Sequence, residues 1–319
     1  MRAVRIREPG APEVLELCEL EAPAIAPRTV RVKVAAVGVN RADLMQRRGR
    51  YPAPPGVLAD VPGLEFAGTV IETGPGADRF APGDAVMGLV AGGGYAEEVV
   101  VHEREAIAVP PGFELAAAAA VPEVFLTAYD ALTQLRVRAG DRVMVHAVGS
   151  GVGTAAIQLI AWMGATSVGT SRTAEKLERA RALGLDEALH ITDATDFSSR
   201  VEPVHAIVDL VGGVYFAESL ACLRSRGRLL IVGLSAGVKA ELSLMDMLRR
   251  RLQVTGTNLR SRPVEEKIDL ARRFEEHAAP QLGRSLKPVV DRVLPFEDVV
   301  EAHRVLEANA NFGKVVLRW

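Results

Sequence analysis

Two rhythms of apolar residues divide this chain. From its start to about Ala120 the apolar positions come in short β-rich runs broken by glycine and proline, as in Val30–Val37 (VRVKVAAV), Gly68–Ile71 and Tyr95–Val101, and this pattern predicts a strand-rich domain. From about Pro122 to Arg284 apolar strands alternate with helical periodicity, the mark of βαβ units and a parallel sheet. The strands predicted there are Arg142–Ala147, Ser167–Thr170, Ala188–Ile191, His205–Leu210, Arg228–Val232 and Val254–Thr257. Six of them suit a doubly wound nucleotide-binding domain. The tail then reverts, with a strand near Val289–Val293, a helix over Phe296–Ala308 and a last strand Lys314–Trp319. The expected organisation is an α/β protein in which residues 1–121 and 285–319 form a β-rich domain and residues 122–284 a doubly wound, parallel-sheet Rossmann domain. A cleft between two such halves is a favoured place for a ligand.

Composition narrows the class of partner. With 319 residues, 49% of them hydrophobic, the chain can bury two large cores. A formal net charge of -2 makes no basic field, so a small molecule is expected in preference to nucleic acid or a membrane surface. The start, Met1–Ile6, alternates like a strand and lacks the apolar core of a signal peptide. No apolar stretch reaches the ~20 residues that span a bilayer. A cytoplasmic location is expected. Cys18 and Cys222 are far apart and form no C-x-x-C; they build no structural zinc lobe, read as ordinary buried thiols, and fit a reducing compartment.

Cofactor chemistry is written at residues 142–176. The buried-strand pattern Arg142–Ala147 runs into Val148-Gly149-Ser150-Gly151-Val152-Gly153 and then into a helical stretch, Thr154–Met163. Strand, glycine-rich turn and helix in that order create a phosphate site, because backbone approaches closely and helix N-terminal amides point at the anion. An NAD enzyme commonly has an acid about 20 residues on, to hold the ribose 2′-hydroxyl. Here that region reads Val168-Gly169-Thr170-Ser171-Arg172-Thr173-Ala174-Glu175-Lys176, with no acid at the strand end. Thr170, Ser171, Arg172 and Lys176 offer donors and positive charge to a 2′-phosphate, which predicts NADPH over NADH. The alternative to this reading is that Arg172 and Lys176 form a solvated helix face.

With those residues in view, the chain resembles the zeta-crystallin-like quinone oxidoreductases, the zinc-free branch of the medium-chain dehydrogenase/reductase superfamily. The likeness is carried by Asn40–Arg47 (NRADLMQR), Tyr51-Pro52, Pro62-Gly63-Leu64-Glu65, Gly151-Val152-Gly153 and Asn311–Leu317 (NFGKVVL), in the family's order. Ala147, Ser150 and Gly153 satisfy the family's A-x-x-[GS]-x-x-G turn. Leu64 stands where metal-dependent relatives carry a histidine ligand, and an alkyl chain has no lone pair for Zn²⁺. The resemblance implies a GroES-like catalytic domain, a homodimer and direct hydride transfer from NADPH without flavin. It implies that Asn40, in the place of a cysteine ligand, faces the substrate with Tyr51, and that Thr127 lies near the cofactor. It further implies that Val232-Gly233-Leu234 and Asn258-Leu259 hold the nicotinamide through backbone groups and that Lys314 approaches the pyrophosphate. An aromatic often found beside the adenine is replaced near Ile191.

On this reading the Asn40 amide and the Tyr51 phenol both donate to the acceptor oxygen as charge arrives on it. An asparagine before Arg-Ala-Asp can equally cap a helix, and Tyr-Pro can simply shape a loop. Gly92-Gly93-Gly94 reads as backbone permissiveness, Arg249–Arg251 as a solvated face, and Arg260 and Arg262 as surface groups before substrate contacts. Leu252–Thr257 is the candidate dimer edge. Competing functions are reduction of α,β-unsaturated carbonyls, a non-catalytic NADPH-binding protein, and a zinc alcohol dehydrogenase.

Overall fold

The structure is a computed structural model that describes residues 1–319. The chain divides into two compact units: Met1–Leu126, Leu259–Arg284 and Pro288–Trp319 make the first, and Thr127–Asn258 with Ser285–Lys287 the second. No helix is long and apolar enough to cross a membrane.

The first unit opens with an antiparallel pair, β1 (Arg2–Ile6) and β2 (Leu15–Glu19). It continues through β3 (Thr29–Val39), α1 (Arg41–Arg47), β4 (Glu65–Thr73), β5 (Ala85–Leu89), β6 (Glu98–His102), β7 (Ile107–Ala108) and α2 (Leu115–Ala118). The helix α3 (Pro122–Gln134) carries the chain into the second unit. There follow β8 (Arg142–Val145), α4 (Gly151–Trp162), β9 (Thr166–Ser171), α5 (Ala174–Arg181), β10 (Glu187–His190), β11 (Val204–Asp209), α6 (Phe216–Cys222), β12 (Leu223–Ile231), α7 (Leu244–Arg250) and β13 (Gln253–Gly256). The chain then returns to the first unit with α8 (Val264–His277), β14 (Val290–Pro295), α9 (Val299–Glu307) and β15 (Lys314–Arg318).

In the first unit the seven-stranded sheet runs β14-β15-β3-β4-β5-β7, with β6 also paired to β3. β3 is the spine: Val30, Val32 and Val34 point into the core while Lys33 between them is exposed, the alternation of a sheet wet on one face. That alternation stops at Ala36, and from there to Val39 every residue is buried. The partner changes along the same strand: β6 pairs with its first half and β15 with its second.

The second unit is a six-stranded parallel sheet in the order β10-β9-β8-β11-β12-β13. Val143, Met144 and Val145 of central β8 are fully buried, as expected of a strand covered on both faces. The order reverses between β8 and β11, and ligands in such sheets bind at the carboxyl ends of the strands at that point.

Several boundaries differ from the sequence pattern, two of them by more than the ends of an element. Helix α4 starts at Gly151 and not at Thr154, because the Ser150 hydroxyl caps it by accepting from Gly153 N; the glycines are its first turn. Residues 259–284, expected with the Rossmann sheet, group with the first unit. The reason is the buried face of α8, Ile268, Leu270, Ala271 and Phe274. Phe274 lies 6.5 Å from the Phe125 ring, Arg272 Nε donates to Arg104 O at 2.8 Å, and Glu275 Oε1 accepts from Ala108 N at 3.0 Å. An amphipathic pattern shows that a helix covers a core without saying which one. Truncating this anchor, Phe274→Ala, is expected to cost about 3–5 kcal/mol in equilibrium urea unfolding; a change under about 1 kcal/mol would mean α8 is not held through this ring.

Candidate active site

The phosphate turn of the second unit is built from a short run after β8. Ala147 takes φ +50°, Ser150 N donates back to Ala147 O at 2.9 Å, and α4 begins at once. A Cβ on Gly153 would stand 2.6 Å from Ala147 O and 2.7 Å from Val148 Cα, so only glycine lets the helix pack this closely on the strand. Gly153 N is taken by the cap. The Gly151 and Val152 amides, at the first two helical positions, have no partner within the helix and face outward with the positive end of its dipole. A Cβ on Gly149 would meet Lys176 Cδ at 2.8 Å, so the Lys176 chain lies across the turn. Arg172 is exposed at the end of β9, and Ser171 Oγ accepts from Thr173 N at 3.0 Å, leaving its proton to donate. Thr127 Oγ1, on α3, is buried with no hydrogen-bond partner. A buried hydroxyl left unpaired costs roughly 1–3 kcal/mol, which a polar ligand group removes. These residues fit a dinucleotide: two amides for the diphosphate, two cations past β9, and an unused hydroxyl.

Two second-unit expectations change. Thr170 is fully buried and its hydroxyl bonds His146 Nδ1 at 2.9 Å; it belongs to the core, where His146 also reaches Ser219 at 2.8 Å, and offers nothing to a phosphate. The Val232 and Gly233 amides both donate to Asp209 O, at 2.8 and 3.1 Å, so of the backbone groups in Val232-Gly233-Leu234 only carbonyls and the Leu234 amide are left for a ligand. Asn258 and Leu259 straddle the boundary of the two units, with Asn258 exposed.

The first unit holds a buried polar cluster. Asn40, just before α1, donates from Nδ2 to Glu65 Oε1 at 2.8 Å and to Gly38 O at 3.2 Å. Its Oδ1 accepts from Lys314 Nζ at 2.6 Å. That ammonium also donates to Glu65 Oε1 at 2.6 Å and Val39 O at 3.0 Å, which uses its three protons. Lys314, expected near a pyrophosphate, is therefore the counter-ion of Glu65, 3% exposed, and has no donor to spare. Both Asn40 amide protons are likewise engaged.

Asp43 accepts from Asn40 N at 2.8 Å, Gly63 N at 3.1 Å and Tyr95 Oη at 3.2 Å. Burial nevertheless pushes its carboxyl up to about 6. Behind it the protons have one order. Burial, then the neighbouring Arg47, depresses His303 to about 3, so the ring is neutral. Its Nδ1 accepts from Arg47 Nη1 at 3.1 Å, so Nε2 carries the proton and donates to Tyr95 Oη at 3.2 Å. Tyr51 lies in the irregular segment between α1 and β4, half-buried, with the Arg260 guanidinium 4.9 Å over its ring. Arg260 is 8% exposed, which corrects its assignment to the surface. Leu64 is packed in the core, and no three His, Cys, Asp or Glu side chains are grouped to hold a metal ion.

Sequence reasoning missed Glu65, Asp43, Arg47, Tyr95, Glu123 and His303. A signal was present for Glu65: an acid inside the buried run Leu64-Glu65-Phe66-Ala67 must have a partner. Which partner was not visible.

A GroES-like sheet and a six-stranded Rossmann sheet in one chain define the medium-chain dehydrogenases/reductases, an oxidoreductase class. A family profile described as alcohol dehydrogenase GroES-like domain matches residues 26–111, and one described as zinc-binding dehydrogenase matches residues 151–275. The human quinone oxidoreductase is 30% identical, over 99% of this chain and 97% of its own length. The quinone oxidoreductase of Thermus thermophilus, solved alone and with NADPH, is 32% identical with a TM-score of 0.87 over the whole of both chains. A crystal structure described as an NAD-dependent alcohol dehydrogenase is 34% identical with a TM-score of 0.85, again over both whole chains. The chain belongs to the medium-chain dehydrogenase/reductase superfamily, with quinone oxidoreductases among its relatives.

Glu123 tests the electrostatics of the cluster. Its backbone N donates to Glu65 Oε2 at 2.8 Å. Burial of its carboxyl, and then the charge of Glu65, lift it from the ordinary 4.5 to about 8. A carboxyl whose folded value is raised binds its proton more tightly in the native state, so stability falls as pH rises from about 4.5 to about 8. Glu123→Gln is expected to melt above wild type at pH 8 and higher and to converge with it near pH 4.5 in thermal scans. Parallel curves would mean that Glu123 is not held protonated.

Proposed function

We propose that the protein is an NADPH-dependent quinone oxidoreductase that uses neither zinc nor flavin, and that it works as a cytoplasmic homodimer on a small-molecule quinone. The observation that carries the cofactor choice is the pair of cations past β9, Arg172 exposed at the strand end and Lys176 laid across Gly149 of the phosphate turn, with no acid there to hold a ribose hydroxyl. The quinone rests on the relatives. When bound, the nicotinamide supplies the hydride. The Gly151 and Val152 amides bind the diphosphate, Arg172, Lys176 and Ser171 bind the 2′-phosphate, and Thr127 Oγ1 donates to the bound cofactor.

In the first unit the Tyr51 phenol donates to the acceptor oxygen as negative charge develops on it. Asn40 acts mainly by holding Glu65 and Lys314 in place, and its 3.2 Å bond to Gly38 O is the weaker one, available for transfer to the acceptor oxygen. The dimer reading is supported by β13, which ends its sheet with an unpaired edge, and by Leu244 and Leu248 of α7, 76% and 73% exposed.

Arg172→Ala with Lys176→Ala is expected to weaken NADPH binding in a fluorescence titration by about tenfold or more, the loss of two charge-assisted contacts, while leaving NADH unchanged. Equal effects on the two nucleotides would refute the 2′-phosphate site. Tyr51→Phe is expected to lower kcat with a quinone by about 10²-fold at unchanged NADPH affinity; undiminished turnover would take the phenol out of the mechanism.

A further inference from the structure

Tyr51 stands on weak ground. Residues 48–64, between α1 and β4, contain no helix or strand, so no ladder of backbone bonds fixes this side chain. The support comes from far along the chain. Arg260, 8% exposed, donates from Nη1 to Tyr51 O at 3.1 Å, from Nη2 to Gln46 Oε1 at 2.6 Å and from Nε to Ala91 O at 2.6 Å. Gln46 in turn donates from Nε2 to Ala59 O at 3.0 Å. One guanidinium thus ties α1, Tyr51 and the turn after β5 together and, through Gln46, the far part of the irregular segment.

Two features mark this as more than packing. None of the three oxygens Arg260 bonds belongs to a carboxylate, so a buried cation is solvated by neutral oxygens and by the face of the Tyr51 ring, 4.9 Å away. Burying a charge this way is costly where a leucine would fill the space. The opposite wall is shaped for it as well. Gly92 has φ +152°, and a Cβ there would stand 3.3 Å from Arg260 Nη2 and 2.6 Å from Val57 Cγ1. The absent side chain leaves room for the guanidinium.

We infer that Arg260 is a positioning residue for Tyr51: it holds the backbone through the Tyr51 carbonyl and the ring through its π face, so that the phenol is presented in one orientation to the acceptor oxygen. This rests on the reading of Tyr51 as the hydrogen-bond donor. The planar fork matters as well as the charge, since only a guanidinium reaches three acceptors in different directions while its carbon stays over a ring face.

The test is a double-mutant cycle. Arg260→Lys keeps the charge and loses the fork. It is expected to lower kcat with a quinone by about tenfold or more, to leave the NADPH dissociation constant within about twofold, and to speed deuterium exchange across residues 48–60. On a Tyr51→Phe background the same substitution is expected to change kcat by less than about twofold, because coupled residues are non-additive. Gly92→Ala, whose Cβ would press on Val57 of the same segment at 2.6 Å and on the guanidinium at 3.3 Å, is expected to give the same non-additive pattern, which serves if Arg260→Lys melts too low to assay. Equal losses on the two backgrounds, or an unchanged kcat in Arg260→Lys and Gly92→Ala while Tyr51→Phe is impaired, would overturn the positioning role alone. Full activity in Tyr51→Phe would overturn the donor reading and the positioning role with it.

Discussion

The ion pair between Glu65 and Lys314 holds the first unit in register. Glu65 begins β4 and Lys314 begins β15, strands that are not neighbours but flank β3 on either side. Their side chains meet over Gly38 of β3, where a Cβ would clash with Glu65 Oε1 and stand 2.7 Å from Lys314 Nζ. Such a buried pair contributes little net stability compared with apolar residues of the same volume, yet leaving either charge alone costs about 3–5 kcal/mol. Its effect is on specificity of arrangement. Glu65 also accepts from Asn40 and from the Glu123 amide at the start of α3, so one carboxylate sets the mutual positions of three strands and the starts of two helices.

A second line of bonds ends at the same place. Arg47 donates to His303, His303 to Tyr95 and Tyr95 to Asp43, each proton direction following from the one before. Asp43 then holds the backbone of Asn40. The neutral histidine makes this ordering possible, because a charged ring would put two donors nose to nose with Arg47. The cluster is therefore rigid for two reasons, fixed charges on one side and a one-way hydrogen-bond chain on the other, and the placing of Asn40 follows from both. Tyr51 is outside both lines and meets Arg260 instead.

The second unit works by a different principle. It offers backbone amides, a helix dipole and surface cations to an anion, and these need no ionisable side chain in the interior. His146, its buried titratable group beside Asp209, is depressed by burial and serves the core through Thr170 and Ser219. The two units thus differ in kind: helix-end amides and exposed cations beside one sheet, and a preorganised polar interior beside the other.

The features legible in the amino acids alone were local. Alternation and β-branching marked the strands, the run from β8 through Gly153 marked the glycine-rich turn, and the residues after β9 marked its charge. Each can be read within some 30 residues because strand, turn and helix chemistry act over neighbours. Which groups meet was settled by the folded chain. Glu65 and Lys314 are 249 residues apart, Gln46 and Arg260 are 214, and Arg47 and His303 are 256. Thr170, Lys314 and Arg260 were misplaced for one reason: a polar side chain's partner is chosen by the pairing of strands and the docking of helices over such distances, and no local pattern records it.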